Sequence, residues 1–239
     1  METQPLYPNQ ALVEVATEVG FQGELAIEVH RHEFQHRIRD TYPRLLLPHV
    51  RPEVPPQLQH YRFERKDQKA GVQLAVNSFS FYMRDYPGAD KFIDDATSLF
   101  GVLQELTPTL NITRVGWRYI NAIPFAREDG TIPLSRYFNR GTYFGDALDH
   151  CQHISLRVTK KVDAYQLNLR LESARSAQVP EEEVLLLDID AFRTEEQLRG
   201  ISGDQAPKEI RALHDVARGV FEEVITDRYR DFLKGVDYD

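Results

Sequence analysis

The chain has 239 residues, enough for one large domain or two small ones with a substantial core. Its hydrophobic and charged fractions, 41% and 28%, are those of an ordinary globular protein and exclude wholesale disorder. The net charge of −8 excludes a wholly electrostatic nucleic-acid binder, and no apolar run approaches the ~20 residues of a membrane-spanning helix.

Leu12 to Phe21 alternates, which predicts a first strand with one buried face. Glu24 to Tyr42 predicts a helix stopped by Pro43, with Ile27, Phe34, Ile38 and Tyr42 near one side. Pro43 to Pro56 is a proline-rich connector, too irregular for a strand or helix. Leu58 to Arg65 and Ala70 to Tyr82 predict a strand pair turned at Asp67-Gln68-Lys69. A second helix is expected over Lys91 to Leu106, where Phe92, Ala96, Leu99, Leu103 and Leu106 recur at helical spacing.

Asn111 to Pro124 is the strongest strand, rich in Ile, Thr, Val, Trp and Tyr, with Pro124 expected to end it. Val115, Trp117 and Tyr119 share one face; Arg114, Gly116, Arg118 and Ile120 share the other. Phe125 to Leu148 follows as an irregular aromatic excursion with Tyr137, Phe138, Tyr143 and Phe144, suited to recognition. His153 to Lys161 and Tyr165 to Glu172 form a hairpin around Val162-Asp163-Ala164, and Glu183 to Phe192 is a further strand. After a connector from Arg193 to Asp204, a last helix starts near Pro207 and runs to about Leu233. Its stripe is Ile210, Leu213, Ala217, Val220, Phe221, Val224 and Phe232. Hairpins dominate this order, so the expected fold is α+β. It is a single domain over 1–239, a mostly antiparallel sheet with helices packed on one face and a long C-terminal helix.

Charge is unevenly distributed. His30 to Lys69 holds nine Lys/Arg against five acids, whereas Glu172 to Asp239 holds nine against seventeen. The basic stretch could attract an anion, or it faces the acidic part. The N-terminus, Met1 to Gln10, is polar and does not read as a signal peptide. Cys151 is the only cysteine, so no internal disulfide forms, which suits a reducing cytosol.

Arg114-Val115-Gly116-Trp117-Arg118-Tyr119-Ile120-Asn121, with the later Leu187-Asp188-Ile189-Asp190, Leu213-His214, Phe221-Glu222 and Ile225-Thr226, resembles a sporadically distributed, uncharacterised family of bacterial proteins. Ala11 to Val15 and the Tyr42-Pro43 and Tyr86-Pro87 pairs are also similar. The resemblance carries no activity or site residues. Sporadic occurrence implies horizontally moved genes, such as defence or toxin–antitoxin islands.

Several constellations bear on chemistry. His32-Glu33-Phe34-Gln35-His36 matches the zincin pattern, in which two His bind zinc and Glu activates water. Both His lie about 200° from buried Phe34, however, facing away from the core. Cys151 has His150 and His153 beside it as bases, against the plainer role of a thiol at a strand start. Asp188 and Asp190 share a strand face, as a metal pair or as solvated acids. His214 falls inside an apolar stripe, which suits a core histidine with one hydrogen-bond partner. Arg114 and Arg118 flank the gap left by Gly116. They suit either a phosphate or carboxylate ligand or ion pairs with Asp188 and Asp190.

The expected function is a non-catalytic binding or interaction module of the bacterial cytosol, with a metal-dependent hydrolase or nuclease-like enzyme as the alternative. Arg114, Arg118, Trp117, Asp188 and Asp190 are the candidate ligand-binding residues. No cofactor or resident metal is expected. The expected partners are a protein, a second copy included, and nucleic acid along the basic 30–69 stretch, without a membrane.

Overall fold

The computed structural model describes residues 7–48, 58–139, 148–177, 179–198 and 205–236. The strands are β1 (Leu12–Phe21), β2 (Arg44–Leu46), β3 (Tyr61–Glu64), β4 (Ala70–Ala75), β5 (Ser78–Met83), β6 (Ile112–Phe125), β7 (Ser155–Val162), β8 (Tyr165–Arg175) and β9 (Glu183–Thr194). The helices are α1 (Ala26–Ile38), α2 (Ala89–Leu106), α3 (Leu134–Tyr137), α4 (Ala206–Val224) and α5 (Asp227–Leu233). The nine strands among the described residues join in one antiparallel sheet, ordered β2-β3-β4-β5-β1-β6-β9-β8-β7. The fold is α+β, as the hairpin-dominated order predicts.

Period-two alternation gives the sheet two unlike faces. Phe63, Val72, Phe81, Thr17, Trp117, Ala191 and Leu167 lie side by side in register, one from each of seven adjacent strands, and all are buried. Helices cover this face. Phe34 of α1 meets Phe63, Phe92 of α2 meets Phe81 and Trp117, and His214 of α4 meets Trp117. Fully burying each large apolar side chain contributes about 1.5–3 kcal/mol, so this layer carries much of the fold. Thr17 is the polar member of the row, and its hydroxyl donates to the Gly116 carbonyl at 2.8 Å. One residue along, the opposite face runs Arg44, Glu64, Gly71, Tyr82, Ala16, Arg118, Asp190, Asn168 and Thr159 across all nine strands.

Five local expectations are corrected. The first helix ends at Ile38, yet Tyr42 still packs its ring against Phe81. The proline-rich connector contains the short strand β2, paired with β3; residues 49–56 of it lie outside the described residues. Ala70 to Tyr82 is two strands, because Val76-Asn77 forms a tight turn that sets Ala75 opposite Ser78. Pro124 lies within β6 and does not end it. Beyond Ala122, whose N–H reaches the Ala11 carbonyl, β6 has only β9 beside it. Pro124 is thus locally at an edge, where its missing donor is harmless.

The last helix is also broken. Ile225 is extended, Thr226 caps α5 by accepting from the Tyr229 N–H, and Phe138 bridges to Ile225. This break swings α5 away from the α4 stripe. Phe232, expected in that stripe, is 50% exposed. Of the aromatic excursion, Tyr137 and Phe138 flank the end of α3, while Tyr143 and Phe144 lie outside the described residues. No helix among the described residues is long and apolar enough to cross a membrane.

Candidate functional site

The central strand divides its residues as its alternation requires. Trp117 is fully buried on the helix-covered face, so it does not meet Arg114 or Arg118. On the other face Arg114 donates to both carboxylate oxygens of Asp190 at 3.1 Å and to Glu18 at 3.1 Å. Its guanidinium lies 4.7 Å from the Phe192 ring centroid. The gap at Gly116 is filled by this same guanidinium: a Cβ there would sit 3.0 Å or less from two of its atoms. Arg118 binds Asp188 through Nε at 2.8 Å and Nη2 at 2.6 Å. Those bonds hold the Arg118 pKa above its ordinary value. The two arginines thus cross over in register, each taking an aspartate, and the aspartates point to different cations.

Arg118 is not sealed in. Its side chain is 49% exposed and edges a shallow depression of 330 Å³ with Arg157, Arg170, Thr159, Asn168, Asp188 and Asp190. Arg157 stands directly opposite Arg170, an unfavourable pairing of like charges. Arg170 is held by Glu172, and Asp188 and Asp190 line the same depression, so acids and bases nearly balance there.

The zincin-like helix face is exposed. His32 bonds the Val29 carbonyl through Nδ1 at 3.0 Å, and Glu33 is held by Arg37 at 2.8 Å, which pulls its carboxyl pKa down. Among the described residues no group of three or more His, Cys, Asp and Glu comes together as a metal site requires. Cys151 lies in the loop before β7, where its carbonyl accepts from the Ile132 N–H; His153 bonds Ser173 at 2.7 Å. His214 sits edge-on to Trp117 and Tyr119, with Nδ1 at 2.9 Å from Asp215, and burial lowers its pKa.

A larger concavity opens at one end of the sheet. It has a volume of 1190 Å³ and is lined from segments far apart in sequence. They are the start of β1, the 67–69 hairpin tip, Arg84, the end of β6, α3 and α5. Register explains it. β1 meets β5 only from Val15 onward, and β6 outruns β1 beyond Ala122, so a notch remains where both strands lose a neighbour. Gln68, at φ 62°, turns the hairpin so that Lys69 and Arg84 flank this notch.

Four cations line the groove: Lys69, Arg84, Arg136 and Arg228. Arg84 pairs with Glu14 at 3.1 Å and Arg136 with Glu128 at 2.5 Å. Lys69 Nζ and the Arg228 guanidinium have neither hydrogen bond nor ion pair among the described residues. The one acid in the lining, Asp67, accepts from Arg65 at 2.5 Å and from the Lys69 N–H at 3.0 Å. Tyr137, Tyr229 and Phe232 add an aromatic wall, in which Tyr229 meets Tyr137 edge-on at 5.3 Å and stacks on Phe232 at 6.0 Å. Burial raises the Tyr229 and Tyr137 pKa values, so both hydroxyls stay neutral. The described lining holds no Ser, Thr, Cys, His or Glu. Only Lys69 of these cations belongs to the basic 30–69 stretch.

Sequence reasoning missed Arg84, Arg136, Arg228 and Phe232. The one local signal was Thr226-Asp227, an N-cap followed by an acid, which marks the start of α5 and so displaces Phe232 from the stripe. No family model matches the chain, and a comparison with curated proteins returns no match.

Proposed function

We propose that this protein is a non-catalytic binding module of the bacterial cytosol that takes an anionic partner in the groove at the end of the sheet. The observation that carries this is the groove's lining: four cations, two of them without a partner among the described residues, against one acid already engaged. A concave site with convergent polar groups is the default place for a ligand. Among the described lining residues there is no Ser, Thr, Cys, His or Glu, and the one carboxylate, Asp67, is already held by Arg65 and the Lys69 N–H, which supports holding a ligand over transforming it. The resemblance to sporadically distributed bacterial proteins supports a place within a defence or toxin–antitoxin type of assembly.

The test is titration at low salt with two labelled anions of equal charge, an oligo-glutamate peptide and a single-stranded oligonucleotide. At least one binds, its affinity falls with added salt, and the Lys69→Glu/Arg228→Glu double variant loses it. If neither probe binds, or the double variant binds as well as the parent, the proposal fails.

A further inference from the structure

Building on the anion-binding reading of the groove, we infer that its ligand is single-stranded nucleic acid, with a base stacked on Phe232 and the backbone phosphates on Arg228 and Lys69. A carboxylate-rich peptide would satisfy the cations equally well. It would give no reason for a half-exposed phenyl ring beside them.

The ring is built as a platform. Its inner face stacks on Tyr229 at an interplanar angle of 15°, and Tyr229 is itself 5% exposed. The Phe232 carbonyl accepts from Asn9 Nδ2 at 2.9 Å, and the Asn9 N–H donates to the Leu233 carbonyl at 3.2 Å, so the start of the chain pins the end of α5. Phe232 is thus held against Tyr229 and lines the groove with it. Arg228 lies four residues earlier on the same helix, hence one turn away on the same side. A planar surface one turn from a free guanidinium matches a nucleotide, which carries a flat base and a phosphate on one sugar. Aromatic platforms in cationic grooves hold single strands in this way, because every base has a π-face.

Two further features fit. The side-chain amides of Gln10 and Gln68 line the groove and make no hydrogen bond among the described residues. Each offers both a donor and an acceptor to a base edge. The groove's 1190 Å³ exceeds the roughly 1,000 Å³ upper end of small-molecule pockets, so there is room for more than one nucleotide. A duplex would present its phosphates but keep its bases stacked away from Phe232.

Fluorescence anisotropy with a labelled oligothymidylate, its duplex with oligoadenylate, and an oligo-glutamate of equal charge tests this. The single strand should bind most tightly, and Phe232→Ala should weaken it by about tenfold or more while Phe232→Tyr preserves it. Phe232→Ala should leave oligo-glutamate binding unchanged. Arg39→Glu, which removes an exposed cation of the basic 30–69 stretch outside the groove, should not affect the single strand. Circular dichroism melts of each variant confirm folding, which a half-exposed ring should not control. If oligo-glutamate or duplex binds as tightly as the single strand, and Phe232→Ala changes none of them, the nucleobase assignment is overturned while the anion groove stands. If no probe binds, both fall together. Equal weakening by Arg39→Glu would replace the site with diffuse attraction and overturn the assignment as well.

Discussion

Replacing Gly116 with alanine should destabilise the protein, and only because of Arg114. A new Cβ would stand 2.3 Å from Arg114 Nη1, so the guanidinium must leave. It would abandon a paired contact to Asp190, a bond to Glu18 and its place over the Phe192 ring. These groups are partly exposed, with side-chain values of 28%, 41% and 23% for Arg114, Glu18 and Asp190. Each ion pair is therefore worth at most about 1 kcal/mol, and the cation–π contact about 0.5–1 kcal/mol. Against this, alanine is better than glycine within a strand by about 0.5–1 kcal/mol. The net expectation is a loss of about 1–2 kcal/mol, or roughly 2–8 °C in melting temperature for a chain of this size. Urea unfolding followed through Trp117, the only tryptophan and fully buried, measures it directly. The decisive comparison is the same substitution in an Arg114→Ala background, where the clash is gone and Gly116→Ala should become neutral or stabilising. An equal loss in both backgrounds would refute the idea that the gap exists to seat Arg114.

Phe221→Ala should cost about 3–5 kcal/mol, since the ring is buried under α4; a loss near zero would mean that this helix face serves a partner. Arg118→Ala should cost no more than about 1 kcal/mol, because the guanidinium is half exposed and Arg170 stands opposite Asp188 in register. A loss above about 3 kcal/mol would show that Asp188 is left buried and unpaired. His214 should make the protein less stable in mild acid. Burial holds its pKa below 6.5 against a raising hydrogen bond that Asp215 accepts, with Arg218 and Arg211 lowering it further. Above pH 6.5 the ring is neutral in both states; below it the unfolded chain takes up the proton first, so stability falls. His214→Gln should flatten that part of the stability–pH curve, and an unchanged slope would exclude the histidine.

The fold was legible where one periodicity ran uninterrupted. Leu12 to Phe21 reads as one alternating strand and is β1 to the residue, with its register irregular only at the two ends. The failures share a cause, in that each break is made by a few residues whose partners lie elsewhere. Val76-Asn77 splits a hydrophobic run that reads as one strand, because both halves are buried at nearly every position and leave no break in the pattern. Pro124 stays in β6 because β1 stops short of it, a fact about β1. Ile225 is extended because Phe138 pairs with it and Asn139 Nδ2 donates to its carbonyl at 2.8 Å. None of these partners is within reach of a local pattern.

The same distinction separates what could be seen of the site from what could not. Spacing put Arg114 and Arg118 on one face and Asp188 and Asp190 on one face, since a strand's period does so. Spacing does not say whether a cation is engaged. On the sheet face nearly every guanidinium meets a carboxylate, and the charge a ligand would meet is small. At the end of the sheet the cations come from a hairpin tip, a strand end and two helices, and they meet because two strands differ in length. Their sequence neighbours are unremarkable: Lys69 follows an ordinary turn and Arg228 an ordinary cap. What marks Lys69 and Arg228 is that neither head group makes an ion pair among the described residues, although Lys69 lies close enough to Asp67 to help hold that carboxyl pKa down. Other exposed cations, such as Arg39 and Lys66, are also without an ion pair among the described residues. What sets Lys69 and Arg228 apart is that they line one concavity with Phe232, and that shared placement is what the anion proposal rests on.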